Sequence, residues 1–250
     1  MFRFRTLFTL ASALLLSASV FASEVPEKQA IIAKLKTSLP SLQVQDVTPT
    51  PIKGLYQLEA ASGELLLVSA DGNYIVSGDI HQVEGKGGVT NLTEKRRGEQ
   101  RLAAMQDLKD KDLVVFKAKG QEKGSVLVFT DTTCGYCRKF HSEVEQMNNM
   151  GITVKYAAWP RSGIASPSGQ TMTNIWCSAD RSAAMTKAKL TSDEIPAPAG
   201  KTCDQHVIQD QINLGFKMGV QGTPAVFTKD GRQVGGYVPA AQLAAQLGIQ

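Results

Sequence analysis

Four cysteines in 250 residues are too few for a small scaffold stapled by disulfides, and 42% hydrophobic residues supply a core without them. Three histidines with no His-x3-5-His spacing, and only one closely spaced cysteine pair, leave a zinc site without its second set of ligands. The formal charge of +4 is too mild for a nucleic-acid partner. There is no internal repeat, and after residue 22 no apolar run is long enough to cross a bilayer.

The one long apolar run lies at the start. Arg3 and Arg5 precede Leu7 to Val20, and Val20-Phe21-Ala22 forms a small-residue cleavage pattern before Ser23. Residues 1–22 therefore read as a signal peptide, which places the mature chain in an oxidising compartment outside the cytoplasm, where disulfides persist. An uncleaved anchor is the alternative. Removing the segment leaves 228 residues and a charge of +2, enough for one large or two modest domains.

From Val25 to Leu35, apolar residues recur at helical spacing behind Pro26, and the pattern ends before Pro40. Short apolar runs follow at Leu42–Val47, Leu55–Leu58, Glu64–Val68 and Tyr74–Val76, and Asp71-Gly72-Asn73 signals a hairpin between the last two. One helix and a few strands make a marginal core, which pairing with a second copy would relieve, so residues 23–88 are expected to be a dimerisation domain. Residues 89–110 carry a charged helical pattern with Thr93 as the expected cap, and read as a semi-rigid linker or a solvated surface helix. From residue 111 strands and helices alternate, with one long helical region expected over Ser168–Leu190, which predicts an α/β domain whose sheet is covered by helices.

In that domain the apolar run Ser125–Phe129 leads into Thr130-Asp131-Thr132-Thr133-Cys134-Gly135-Tyr136-Cys137, followed by apolar residues at helical spacing, Phe140, Val144 and Met147. A helix starting at Cys134 aims N–H groups and the positive end of its dipole at the sulfur. Its pKa should fall from about 8.5 into the range of roughly 3.5 to 7.5 found in such motifs, giving an ionised and accessible nucleophile. Cys137, one turn further in, is placed to attack a mixed disulfide on Cys134, so the pair can cycle between dithiol and disulfide. This chemistry needs no cofactor. A purely structural disulfide in so short a loop would constrain the unfolded chain very little.

Several segments together resemble the DsbC/DsbG family of bacterial periplasmic disulfide isomerases: Phe129 to Cys137, Trp159-Pro160-Arg161-Ser162-Gly163, Ile175 to Arg181, and Gly222-Thr223-Pro224, with Ala70 to Tyr74 in the N-terminal piece. The resemblance covers essentially the whole mature chain. It implies a periplasmic homodimer built from an N-terminal cystatin-like α+β domain, a linker helix and a thioredoxin-like catalytic domain over 111–250. It further implies that Cys134 attacks and Cys137 resolves, and that misfolded disulfide-containing exported proteins are the substrates, held in an apolar cleft. A membrane reductant of the DsbD type would keep the pair reduced, and Cys177 and Cys203 would form a structural disulfide. In a thioredoxin-like domain Thr223-Pro224 is expected to be cis, leaving Thr223 backbone groups free to pair with a substrate strand, with an ordinary trans proline as the alternative. Gly135 and Tyr136 complete the motif.

Arg138 stands where family members often carry His. Asp131 reads equally as turn former or proton acceptor, and His141 as a half-exposed helix residue with a general base as its rival. A dithiol oxidase and a non-catalytic holdase chaperone are the competing functions. The extra N-terminal domain speaks against the first, and Cys-x-x-Cys beside a Thr-Pro against the second.

Overall fold

A computed structural model describes residues 21–85, 87–191, 193–200 and 202–249, with side chains described from residue 27. The expected signal peptide lies outside them except for its last two residues. Among the described residues, no helix is long and apolar enough to cross a membrane. The chain divides into two compact units, one running to residue 61 and over 66–77, the other over 62–65 and from 78 onward.

In the first unit, helix α1 (Phe21–Ser38) precedes strands β1 (Val44–Pro49), β2 (Leu55–Ala60), β3 (Leu65–Ser69) and β4 (Ile75–Val76), hydrogen-bonded in that order. Period-two patterning turns Tyr56, Leu58 and Ala60 of β2 inward, where they join Ile31 and Leu35 of α1 in one apolar cluster. The Asp71 carboxylate accepts the Asn73 N–H at 3.0 Å and Gly72 takes a φ of 66°, so the antiparallel β3–β4 hairpin closes where the sequence signals it. β4 ends the sheet with Tyr74, Ile75 and Val76 all exposed.

The second unit opens on a hairpin, β5 (His81–Val83) with β6 (Val89–Asn91), which the Gly-rich stretch between its three-residue strands hides from a pattern reading. Helix α2 (Leu92–Met105) is capped by Asn91, whose side chain accepts the Glu94 N–H at 2.8 Å. Thr93, the expected cap, is instead buried, with its hydroxyl accepting the Ile80 N–H at 2.9 Å. Nor is α2 solvated on every side. Arg101 is 5% exposed, donates through Nε to Met218 O at 3.1 Å and lies 5.3 Å from the Phe227 ring centroid.

After a 3-10 turn at Asp110–Asp112 come β7 (Val114–Phe116), β8 (Gly124–Thr130), α3 (Gly135–Ser142), α4 (Val144–Asn149) and β9 (Ile152–Ala158). Then follow α5 (Pro167–Cys177), α6 (Arg181–Leu190), α7 (His206–Lys217), β10 (Ala225–Thr228), β11 (Gln233–Gly235) and α8 (Ala240–Gln246). The sheet order is β11-β10-β8-β9-β7, with β8 and β9 parallel and the other pairs antiparallel. β8 is buried on both faces, which explains its unbroken apolar run. Val126 and Val128 pack with Phe140, Met147, Met172 and Leu243, while Leu127 and Phe129 face Trp159, Met218 and Phe227. Gly215 of α7 is required there, because a Cβ would come within 2.3 Å of the Trp159 ring.

The single helix expected over Ser168–Leu190 is two. Ser178 is extended, and Asp180 starts α6 by accepting the Ala183 N–H at 2.9 Å, a local side-chain bond that competes with continuing the helix. The helix after the cysteine pair likewise divides into α3 and α4 at Glu143, whose carboxylate accepts the Ala240 N–H at 2.7 Å.

Cys177, the last residue of α5, is disulfide-bonded to Cys203 across 26 positions. Replacing both by Ala is expected to lower unfolding free energy by about 3 kcal/mol on the chain-entropy model, read from urea titrations, while leaving the reactivity of the other two thiols unchanged.

Candidate active site

Strand β8 ends at Thr130, and the chain turns through Asp131–Thr133 into α3, of which Cys134 is the N-cap residue with extended φ and ψ. Asp131, 1% exposed, builds this turn. One carboxylate oxygen accepts the Thr133 N–H and hydroxyl, each at 2.8 Å, and the Ser168 hydroxyl at 2.6 Å. The other accepts the Arg161 N–H at 2.9 Å and its Nε at 3.1 Å. Burial alone would raise the Asp131 pKa, yet these donors hold it at about 2. Asp131 therefore forms the turn, and a carboxylate held this acidic is a weak proton acceptor at neutral pH.

The two sulfurs sit in different surroundings. The Cys134 thiol donates to the Thr223 carbonyl at 3.2 Å, and the Thr223–Pro224 peptide is cis. Burial opposes ionisation of Cys134, but interactions with Thr223, with the N–H and thiol of Cys137 and with the Arg161 charge outweigh it, so its pKa lies below the ordinary value. The Thr223 hydroxyl is buried without a hydrogen-bond partner, and its proximity favours the thiolates of both cysteines. Cys137 is fully buried, and that burial pushes its pKa above the ordinary value. The charge of Lys189, the Thr130 hydroxyl and the Asp131 N–H moderate the rise.

Against expectation, Cys134 is not openly accessible: it is 4% exposed. Its chain neighbours Thr133, Gly135 and Tyr136 are exposed, as are Gln221 and Gly222 just before Thr223. The Tyr136 ring is stacked 6.2 Å from that of Tyr237, and Lys139 Nζ lies 4.6 Å from the Tyr237 centroid.

Gly135, Tyr136, Thr223 and Pro224 thus surround the cysteine pair, whereas the Cys177–Cys203 bond belongs to the end of α5. Arg138 donates through Nε to Thr132 O at 2.9 Å and so braces the turn. His141 is not the half-exposed helix residue expected. It is 4% exposed, lies 3.1 Å from the Tyr156 hydroxyl and 3.2 Å from that of Thr186, and burial, then the nearby Lys189 charge, lower its pKa to about 4. Lys189 went unnoticed in the sequence, although the pattern shows it: with Met185 and Ala188 it occupies the buried stripe of α6. Among the described residues, no cluster of three His, Cys, Asp or Glu side chains is placed to hold a metal.

A parallel strand pair, a cis proline facing a helix-capping cysteine, and thiols of opposed acidity define a thioredoxin-fold thiol–disulfide oxidoreductase. A thioredoxin-like domain family matches residues 110–248, and a disulfide bond isomerase protein N-terminal domain family matches residues 22–94. The chain belongs to the DsbC family, and thiol–disulfide interchange is its chemistry. It is 39% identical over 206 residues to the thiol:disulfide interchange protein DsbC of Dickeya dadantii, covering 82% of this chain and 81% of the relative. To the protein of the same name from Escherichia coli K12 it is 36% identical over 217 residues, covering 86% of each. Among solved structures, a disulfide interchange protein from Neisseria gonorrhoeae superposes with a TM-score of 0.48 at 26% identity, covering 56% of this chain and 96% of the other.

Acid should destabilise the fold in two stages. His141 has its pKa lowered from 6.5 to about 4, so the unfolded chain takes up a proton the folded one declines, and stability present above pH 6.5 is lost as pH falls toward 4. Asp131, lowered from 3.8 to about 2, contributes stability above pH 3.8 that is lost toward 2. Asp131→Asn is expected to cost about 2 kcal/mol at neutral pH and to flatten the second stage in denaturant titrations repeated at each pH.

Proposed function

We propose that the protein is a periplasmic disulfide isomerase that reduces and reshuffles wrong disulfides in exported proteins, with Cys134 as attacking thiol and Cys137 as resolving thiol. The observation carrying this reading is the asymmetry of the pair: Cys134 caps the helix between exposed neighbours and against Thr223 O, with its pKa lowered, while Cys137 is fully buried one turn behind it, with its pKa raised. The Cys134 thiolate attacks one sulfur of a substrate disulfide, forming a mixed disulfide and releasing the other substrate sulfur as thiolate. That thiolate, or Cys137, then attacks the mixed disulfide. The first route rearranges the substrate, and the second returns it reduced and leaves Cys134 and Cys137 oxidised.

A working isomerase needs a reduced resting pair, so a thiol reductant of the DsbD type is the expected partner. The exposed Tyr136 ring and the partly buried Tyr237 offer apolar surface beside the sulfur for a misfolded chain. Thr223 O accepts from the Cys134 thiol and keeps a second lone pair for a substrate backbone, and ionisation of the thiol frees the first. Homodimerisation through the N-terminal domain is supported by β4, an edge strand that leaves Tyr74, Ile75 and Val76 exposed beside a small core. We assign residues 1–22 to the signal peptide, 23–88 to that domain, 89–110 to the linker helix and 111–250 to the catalytic domain. The stretch between the two family matches, 95–109, lies mostly within α2.

Reactivation of a ribonuclease carrying scrambled disulfides tests the function: wild type should restore activity and Cys134→Ser should not. Equal rescue by both points to a holdase, and activity only on reduced ribonuclease to an oxidase. Cys137→Ala should accumulate covalent complexes with substrate on non-reducing gels. For the assembly, wild type should sediment as a dimer and the double variant Ile75→Lys/Val76→Lys as a monomer that retains thiol reactivity.

A further inference from the structure

Lys189 has a cation where a core residue belongs. It is 2% exposed, in the α6 stripe otherwise formed by Met185 and Ala188. Taking an ammonium out of water is costly unless its protons are satisfied. Nζ donates to the Thr130 hydroxyl at 2.6 Å and to the Asp131 carbonyl at 2.7 Å, and lies 5.8 Å from the Tyr156 ring centroid. The Asp131 carboxylate, meanwhile, is directed to Thr133, Ser168 and Arg161.

An ammonium can only donate, so it makes the Thr130 oxygen an acceptor and leaves that hydroxyl its own proton to give. Thr130 ends β8 just before the motif, and its hydroxyl favours the thiolate of the fully buried Cys137, the direction expected if that proton is turned toward the sulfur. A relay of two donors therefore runs from Lys189 through Thr130 to the buried sulfur. The other charged and titratable groups facing Lys189 are Cys134, Arg138 and His141 on α3, Asp131 in the turn and Tyr156 on β9. Arg138 and His141 are no better sited to replace it: Arg138 turns to Thr132 O, and the lowered pKa of His141 leaves that ring neutral.

We propose that Lys189 is a positioning residue for the resolving step, its buried ammonium acting through the Thr130 hydroxyl to make Cys137 ionisable where it is otherwise sealed from water. In that step Cys137 loses its proton, and its sulfur lone pair attacks Cys134 Sγ of the mixed disulfide. The Cys134–substrate S–S bond breaks, and the departing substrate sulfur takes up a proton. The substrate is reduced by two electrons, and the Cys134–Cys137 disulfide holds the corresponding oxidation. Lys189 itself responds to the pair. Burial lowers its pKa to about 8 and the charges on Cys137, Asp131 and Cys134 oppose that fall, so forming the disulfide removes part of what keeps it protonated.

The inference rests on the assignment of Cys134 as attacking and Cys137 as resolving thiol, and one experiment separates the two. Reduced full-length protein is mixed with a model peptide disulfide in stopped flow, and formation and decay of the mixed disulfide are followed from acid to alkaline pH. Wild type should form the adduct and resolve it; if it forms none, the assignment itself has failed. Lys189→Met should form the adduct at a rate close to wild type but resolve it about tenfold more slowly at neutral pH, with the midpoint of the decay profile moved about one unit alkaline. Thr130→Val, which keeps the lysine and removes the relay, should move the midpoint the same way, and Lys189→Arg should restore part of the rate. A folded Lys189→Met with wild-type decay and midpoint overturns the proposal. Should that variant not fold, an unshifted midpoint in Thr130→Val overturns it.

Discussion

The site depends on one buried carboxylate. Asp131 takes donors from its own turn, from the loop after β9 and from the first turn of α5, so three segments distant in sequence converge on two oxygens. Charge-assisted bonds of this kind are roughly twice as strong as neutral ones, and here they set the path by which β8 becomes α3. The placement of Cys134 against Thr223 follows from that path, as does the depth of Cys137.

Given this frame, reactivity is divided between the sulfurs by environment alone. Arg161 is anchored by Asp131 on the solvent side and its charge favours the Cys134 thiolate, while Lys189 reaches the interior side through Thr130. Two cations of different origin thus serve two identical functional groups. The outer one is half-exposed, so solvent screens it, whereas the inner one acts in a low-dielectric core where each charge counts for more.

Local chemistry was the legible part of the sequence. The Cys-x-x-Cys turn behind an apolar strand, the Asp-Gly-Asn hairpin and the alternation of strand and helix all express short-range rules, and each appears in the structure at its expected place. Errors arose where a side chain had two possible partners. Thr93 could have capped α2 but turns to Ile80, Asp180 interrupts what periodicity reads as one helix, and Arg101 docks a helix whose charge pattern suggests solvent. His141 and Lys189 were misjudged or missed because polar residues on a buried stripe are recognised only once their partners are known, and those partners lie 15, 45 and 59 positions away.

The hydrogen bond from the Cys134 thiol to Thr223 O has a consequence for the order of events. While the thiol keeps its proton, one of the two lone pairs of the carbonyl that an incoming strand would grip is engaged. Loss of that one proton arms the sulfur and frees that lone pair together. Attack on a disulfide and the grip on an incoming strand are thus coupled to a single ionisation.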